Sequence, residues 1–211
     1  NTGFRAPTFA DLYTPLSWGY QGNPQLRPEK SRNLEMNLKY QTEDTSIILS
    51  AYQSKYKDLI NPNVCDAFYN CTAENTERAT IRGLSIDASR RYGNTTLSVG
   101  ADFMNPKDER TGKTLARRAK QVYRAGISHQ FNRLELGADY LFVAHRYDDS
   151  SNSPEKRMGG YGLVNLRADY EISKNFHAQL NVNNLFNKKY QTAYGYRKAG
   201  TNFFLNLAWQ H

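Results

Sequence analysis

The chain has 211 residues and a formal net charge of +8, and its aromatic content of 13% is dominated by tyrosine. No run approaches the roughly 18 consecutive apolar residues of a membrane-spanning helix, and no charged segment followed by an apolar run opens the chain as in a signal peptide. Most Lys and Arg residues lie between strand-like segments, mixed with acids or aromatics. This placement favours solvated loops over a nucleic-acid surface.

Apolar and polar residues alternate with a period of two in segment after segment. Val164, Leu166 and Ala168, for example, alternate with Asn165 and Arg167. Alternation of this kind is typical of β-strands that present one apolar and one polar face. About nine strands are predicted in this way, at Asn33–Tyr40, Asp44–Leu59, Thr76–Arg91, Thr96–Phe103, Lys120–Gln130, Leu134–Phe142, Val164–Ile172, Phe176–Asn183 and Phe203–Trp209.

The connections alternate in length. Short ones fall at 41–43, 92–94, 131–132 and 173–175, and long ones at 61–75, 105–119, 148–159 and 187–199. Bacterial outer-membrane barrels have short periplasmic turns and long extracellular loops. A soluble two-sheet sandwich also alternates, but its strands are usually about five or six residues long, shorter than several here. We therefore predict an all-β fold, a transmembrane antiparallel β-barrel in the bacterial outer membrane, with residues 1–211 as a single partial domain.

Aromatic residues flank the predicted strands. Such amphipathic rings belong at the headgroup level of a membrane, so they predict two girdles. The expected girdle residues are Tyr40, Tyr92, Phe131, Tyr170 and Phe176 near the short turns, and Tyr147 and Tyr161 near the long loops.

The two cysteines, Cys65 and Cys71, lie in one polar loop. Their spacing suits a local disulfide in an oxidising compartment. The alternative is half of a metal site, but a closed zinc site needs four ligands and the nearest histidine in sequence is His129. The spacing therefore favours the disulfide, and no metal site is expected.

Two motifs resemble the signatures of a known family. FRAPTFADLY at Phe4–Tyr13, followed by GNPQLRPEKSRNLE at Gly22–Glu35, resembles the mid-barrel signature of TonB-dependent transporters. NLFNKKYQTAYGY at Asn184–Tyr196 resembles the signature before their last strand. The resemblance covers essentially the whole chain. It implies the C-terminal nine or so strands of a barrel of about 22 strands, without the N-terminal plug that fills such barrels.

Within that family, three pieces resemble the late loops of its vitamin B12 transporters: LARRAKQ at Leu115–Gln121, MGG at Met158–Gly160 and YGYRKAG at Tyr194–Gly200. The resemblance implies a receptor that captures cobalamin and imports it with TonB-derived energy. It places Arg117 and Tyr196 against the ligand, with Tyr194 and Arg118 as weaker candidates by proximity. A ferric siderophore or haem is the alternative ligand.

The resemblance also sets expectations about partners. Contact with the TonB complex would run through the missing plug, calcium sites would lie outside this segment, and no resident cofactor is expected. Outer-membrane lipid and lipopolysaccharide would surround the barrel. The Cys65–Cys71 loop is similar to an insertion relative to those transporters, which would change the ligand, or the phage and colicin-type toxin partners, that the receptor tolerates. His211 occupies the position where the family ends on an aromatic residue, so barrel assembly from this terminus is expected to suffer.

An enzyme is not expected, because the sequence has no Gly-rich phosphate loop, nucleophile elbow or helical His pair. The one cluster that merits attention is His145 with Asp148, Asp149 and Ser150, and turn composition explains it better than catalysis. A passive porin would lack the two family signatures.

Overall fold

The computed structural model describes residues 1–66, 68 and 70–209, so His211 lies outside the described residues. In the described residues, one short helix, α1 (Phe9–Tyr13), and one 3-10 turn at Pro154–Lys156 accompany the strands. Within the described part of the chain, no helix is long and apolar enough to cross a membrane. The strands are β1 (Thr2–Arg5), β2 (Tyr20–Gln21), β3 (Glu29–Gln41), β4 (Thr45–Cys65), β5 (Cys71–Tyr92), β6 (Thr95–Asp108), β7 (Gln121–Phe131), β8 (Leu134–Val143), β9 (Arg146–Tyr147), β10 (Arg157–Met158), β11 (Tyr161–Ser173), β12 (Phe176–Asn183), β13 (Gln191–Ala193), β14 (Tyr196–Arg197) and β15 (Asn202–Trp209).

Eleven of these strands form one sheet, in the order β1-β3-β4-β5-β6-β7-β8-β11-β12-β15, with β2 attached to β5. Every pairing along that order is antiparallel, and from β3 onwards each long strand pairs with the next long strand of the chain. The pairs β9–β10 and β13–β14 form two separate small hairpins above it. This up-and-down order is the topology of a membrane barrel, and it confirms the predicted all-β fold class.

All of the strands predicted from the alternation are present, but several extend beyond their predicted bounds, including β3, which begins at Glu29, and β11, which begins at Tyr161. β4 and β5 pair as far as Cys65 and Cys71, through residues predicted to be loop, and β6 extends to Asp108. The apolar alternation stops where both faces of a strand meet water, whereas the backbone ladder continues. The short edge strand β1, which pairs with β3, also lacks an alternating stripe and was not predicted.

The register aligns the apolar residues of neighbouring strands on one face of the sheet, here called the outer face. Directly paired residues share a face, and one row of partners crosses β3 to β8 and β11 with apolar side chains throughout. The row consists of Tyr40, Ile47, Ala88, Val99, Ala125, Tyr140 and Val164. A continuous apolar band of this kind is what lipid contact requires.

The opposite, inner face carries polar side chains that bond to one another. Arg124 bonds to Asp102 at 2.7 Å and to Asp87 at 3.2 Å, linking strands β5, β6 and β7. Arg167 similarly bonds to Glu135 at 2.6 Å. This arrangement matches the polar lumen of an outer-membrane barrel.

At the short-turn end, Tyr40, Tyr92, Phe131 and Tyr170 are all exposed, as a girdle requires, and their position among lipid headgroups stays a prediction. The prediction for Tyr161 is wrong. Tyr161 is only 8% exposed and pairs with Val143, which places it on the inner face rather than in lipid.

The segment before β3 packs against the extended β4–β5 ribbon. Helix α1 begins with a capping box, in which the Thr8 hydroxyl accepts from the Asp11 backbone N–H and the Asp11 carboxylate accepts from the Thr8 N–H. Further on, Leu26 is buried against Ile60 and Ala73. Leu12 of α1 is partly buried against this cluster, so both the FRAPTFADLY and GNPQLRPEK motifs contribute to a small apolar core at the long-loop end.

The tip of the ribbon is closed by a disulfide. Cys65 and Cys71 are register partners on β4 and β5, with an S–S distance of 2.06 Å. The predicted disulfide is confirmed. Between them, the side-chain hydrogen bond from Asn70, together with backbone N–H groups of Asn70 and Phe68, holds the pKa of Asp66 below its usual value.

Candidate ligand-binding site

Three long loops meet at one end of the sheet. They are the β6–β7 loop (109–120), the β8–β11 loop (144–160, with the β9–β10 hairpin) and the β12–β15 loop (184–201, with the β13–β14 hairpin). The backbone N–H of Arg117 donates to the carbonyl of Tyr147 at 2.7 Å, joining the first two. A reciprocal pair of 2.8 Å hydrogen bonds between the Asn152 side-chain amide and the Thr114 backbone joins them a second time. The first two loops are therefore connected, and the third joins them through Asp148; the three together are here called the loop layer.

Asp148 lies at the centre of this layer and is only 3% exposed. Its carboxylate accepts from Arg117 Nε at 2.7 Å and from Arg117 Nη2 at 3.2 Å, and it also accepts from the Tyr194 backbone N–H at 3.1 Å. One buried acid thus links all three loops. A bidentate pair of this kind fixes the plane of the guanidinium group as well as its position.

Arg117 retains donors for a ligand. A guanidinium group has five N–H donors, and Asp148 accepts through only Nε and Nη2. The Arg117 side chain is 40% exposed, and its backbone has a positive φ of 59°. That uncommon backbone conformation turns the loop at this residue. Arg117 is therefore an oriented and partly exposed cation.

The tyrosines lie on the β13–β14 hairpin. Tyr194 and Gly195 form its two-residue turn, where Gly195 has φ of 82° and donates its N–H to Gln191 Oε1 at 2.7 Å. Tyr194 is 47% exposed, and Tyr196, which pairs with Ala193, is 75% exposed. The structure therefore brings Tyr194 together with Arg117 through Asp148, and presents Tyr196 on the same hairpin. Contact of these residues with a ligand stays a prediction.

Arg118 is less constrained. Its side chain is exposed, and its backbone N–H donates to the Leu115 carbonyl at 3.4 Å. It does not share the Asp148 carboxylate in the described contacts. Its role rests on its position beside Arg117 alone.

Arg146 is a buried member of the loop layer that was not identified from the sequence. It is 5% exposed, its Nη2 donates to the Gln191 carbonyl at 2.7 Å, and its guanidinium carbon lies 5.4 Å from the centre of the Tyr161 ring. Its Nη1 has no hydrogen-bond partner among the described residues. The ring of Tyr190 lies 4.5 Å from that of Tyr161. Burial raises the pKa of the Tyr190 phenol, and the nearby Tyr161 adds to this effect.

The NLFNKKY motif has a structural reason. Asn184 is buried at the base of the β12–β15 loop, with a φ of 52°. Its side-chain amide donates to the carbonyls of Lys188 at 3.0 Å and Ala199 at 3.3 Å, and its side-chain oxygen accepts from the Lys188 N–H at 2.8 Å. Asparagine tolerates this left-handed conformation better than most residues. It thereby closes the loop that carries Tyr194 and Tyr196.

The acids of the His145 cluster stabilise loops. Asp148 pairs with Arg117, and the Asp149 carboxylate accepts from the Ser153 N–H at 3.0 Å and from the Ser153 hydroxyl at 2.6 Å. These are the local side-chain bonds expected of turn residues. The interpretation from turn composition thus explains both carboxylates.

The apolar outer face, the polar inner face and the connected layer of long loops define part of the wall of an outer-membrane β-barrel. Comparison with known proteins gives the family. Residues 1–185 match the family model described as TonB dependent receptor-like, beta-barrel. The chain belongs to the TonB-dependent receptor family, whose members are receptors and transporters in the outer membrane rather than enzymes.

Comparison with individual relatives supports the same family. The chain is 32% identical over 211 residues to the vitamin B12 transporter BtuB of Vibrio vulnificus, covering 98% of this chain and 33% of the relative. It is 34% identical over 195 residues to the vitamin B12 transporter BtuB of Photobacterium profundum, covering 90% and 31%. The chain therefore spans about a third of the length of these relatives. Among solved structures, the copper transporter OprC superposes with a TM-score of 0.78 at 19% identity, covering 99% of this chain and 37% of that one, which shows the shared fold.

Proposed function

We propose that this chain is the C-terminal part of the barrel wall of an outer-membrane receptor that captures cobalamin and imports it with energy delivered through TonB. The observation that carries the proposal is the 32% identity, over nearly the whole chain, to a protein named as a vitamin B12 transporter. TonB would act on a plug domain outside this chain. The exposed loops would also be the surface that phage or colicin-type toxins bind.

The loop layer supports recognition rather than bond making. A corrin ring surrounded by amides and a phosphate offers acceptors to a guanidinium group and flat surface to tyrosine rings. Arg117 supplies oriented donors, and Tyr194 and Tyr196 supply exposed rings. Because Asp148 holds Arg117 and Tyr194 together, little ordering remains to oppose binding.

The alternative ligand is a ferric siderophore or haem. One argument for keeping it is that a copper transporter has the same fold, so the fold does not choose the ligand. The test is a binding panel of cobalamin, haem and ferric siderophores on the full-length receptor in detergent. We expect cobalamin to bind at least a hundredfold more tightly than the others. Tighter binding of haem or of a siderophore would replace the proposal with its alternative.

Arg117→Ala sharpens this test. A hydrogen bond from a charged donor contributes about 1.5–3 kcal/mol, so cobalamin affinity should fall roughly ten- to a hundredfold. Arg110→Ala is the matched control, because it removes an exposed arginine from the same loop. Equal affinities of the two variants would contradict a role for Arg117 in binding.

A further inference from the structure

The outer face carries a cluster of cations at the long-loop end of β3–β6. Lys57 on β4 lies between its register partners Lys30 on β3 and Arg78 on β5. The neighbouring row on the same face, one step closer to the lipid-facing band, pairs Arg32 with Lys55 and Lys55 with Thr80. Thr80 in turn pairs with Lys107 on β6. All of the cations are exposed. The basic outer patch is defined as Lys30, Arg32, Lys55, Lys57, Arg78 and Lys107.

The patch borders the lipid-facing band directly. Arg32 lies two residues before Leu34, and Lys107 lies four residues after Phe103, both on the same face of the sheet. Residues two apart on a strand are separated by roughly 6.7 Å. Leu34 is 73% exposed and Phe103 is 45% exposed on that face. The cations therefore occupy the level of lipid headgroups on the long-loop side, which in bacterial barrels is the extracellular side.

Like charges stand directly opposite one another in this patch. Such cross-strand pairs are destabilising unless an anion lies between them. Nearby acids are engaged elsewhere: Asp58 pairs with Arg27 at 2.8 Å, and Glu29 accepts from the Ile60 N–H at 3.2 Å. Glu109, at the rim, accepts from the Thr80 hydroxyl and is the one carboxylate that borders the patch among the described contacts. The cations thus exceed the local acids by a wide margin.

Other parts of the outer face differ. At the short-turn end of β5, Arg90 stacks on the Tyr92 ring at 4.7 Å, in the manner of an aromatic girdle. At the long-loop end of the remaining strands, the outward residues include Phe142, Val182 and Phe203, which are apolar. The concentration of charge is therefore a local property of β3–β6 and not a general consequence of the net charge.

We propose that the basic outer patch binds the phosphorylated headgroup of a lipid in the extracellular leaflet, with lipopolysaccharide as the occupant. Phosphate oxygens accept charge-assisted hydrogen bonds from Lys and Arg. Neighbouring strands lie about 4.8 Å apart, so the patch presents several cations across roughly 14 Å, a width that suits more than one phosphate on one headgroup. The acyl chains then lie on Leu34 and Phe103. A soluble anion would gain nothing from that apolar neighbour.

The test titrates the full-length receptor with deep-rough lipopolysaccharide and follows binding by native mass spectrometry. The patch variant combines Lys30→Gln, Lys55→Gln, Lys57→Gln and Lys107→Gln. We expect its affinity to be at least tenfold weaker than that of the wild type. The wild type should also bind the enzymatically dephosphorylated lipid at least tenfold more weakly, because the cations then lose their partners.

The control variant removes the same charge from exposed positions outside the patch, and its affinity should stay within twofold of the wild type. Equal losses in the two variants would overturn the proposal, as would unchanged binding of the dephosphorylated lipid. Pyrophosphate that binds as tightly as the lipid would show a site for soluble anions instead. If heat-modifiability shows that the patch variant fails to assemble, the single change Lys57→Gln replaces it, and unchanged affinity there overturns the proposal. The control substitutions are Arg110→Gln, Lys113→Gln, Arg133→Gln and Lys174→Gln.

Discussion

The two ends of the strands hold the same kind of ion pair in different surroundings. At the short-turn end, Arg91 and Asp44 are 2.9 Å apart, and their side chains are 53% and 55% exposed. At the long-loop end, Arg117 and Asp148 are 2.7 Å apart, and the Asp148 side chain is 5% exposed. Water and salt screen the first pair, which contributes about 0–1 kcal/mol. Removal of one partner from the second leaves a buried charge, at a cost of about 3–5 kcal/mol.

This difference extends to the packing around each pair. The apolar residues buried at the long-loop end include Leu26, Ile60, Leu115 and Met158. At the short-turn end, residues such as Tyr40 are exposed, because in the barrel they would contact lipid rather than other protein residues. The long-loop end therefore holds together through its own contacts, whereas the strands below it rely on lipid and on closure of the barrel.

The largest expected effect follows from that reliance on closure. In the described part of the chain, β1 and β15 are the two edges of the sheet and each pairs on one side. Lipid cannot satisfy the open backbone groups of an edge strand. The 211-residue chain expressed alone should therefore aggregate when refolded in detergent. A monodisperse, heat-modifiable product on electrophoresis would contradict this expectation.

Asp148→Ala should disorder the loop layer, because it leaves Arg117 without its partner and frees the Tyr194 backbone. We expect a local cost of about 3 kcal/mol, at the low end for buried pairs because Arg117 is partly exposed. Limited trypsin digestion of the full-length receptor should cleave the loops more than tenfold faster. Asp44→Ala at the other end is the matched control, with at most a twofold change. Equal digestion rates would show that the two ends do not differ.

The disulfide should matter less to binding. Replacing Cys65 and Cys71 with serine removes a small closed ring, with a local effect of about 2 kcal/mol in the chain-entropy account. The tip should become more sensitive to protease, while cobalamin affinity changes by less than threefold. A 3.3 Å hydrogen bond from Lys156 Nζ to Cys65 Sγ joins the tip to the β8–β11 loop. A tenfold loss of affinity would mean that the tip belongs to the binding site.

The strands could be predicted from the sequence because lipid-facing apolar residues alternate with lumen-facing polar residues along each strand. That alternation ends above the membrane, so the continuation of β4 beyond Leu59 could not be predicted. The Arg117–Asp148 pair joins residues 31 apart, and the burial of Arg146 depends on a loop that arrives from β12. No local pattern encodes such contacts. Helix α1 was not predicted, although Thr8 and Asp11 have the spacing of a capping box and could have indicated its start.

The most direct test of the proposed binding site compares two tyrosines, one at each end of the strands. Tyr196 is 75% exposed on the loop hairpin, and Tyr92 is 54% exposed in the short-turn girdle. Cobalamin affinity is measured for both alanine variants in cells with matched surface levels of receptor. Loss of a rigid aromatic anchor is worth about 1–2 kcal/mol, so Tyr196→Ala should weaken binding roughly five- to thirtyfold while Tyr92→Ala leaves it within twofold. Equal affinities would contradict a cobalamin site at the long-loop end.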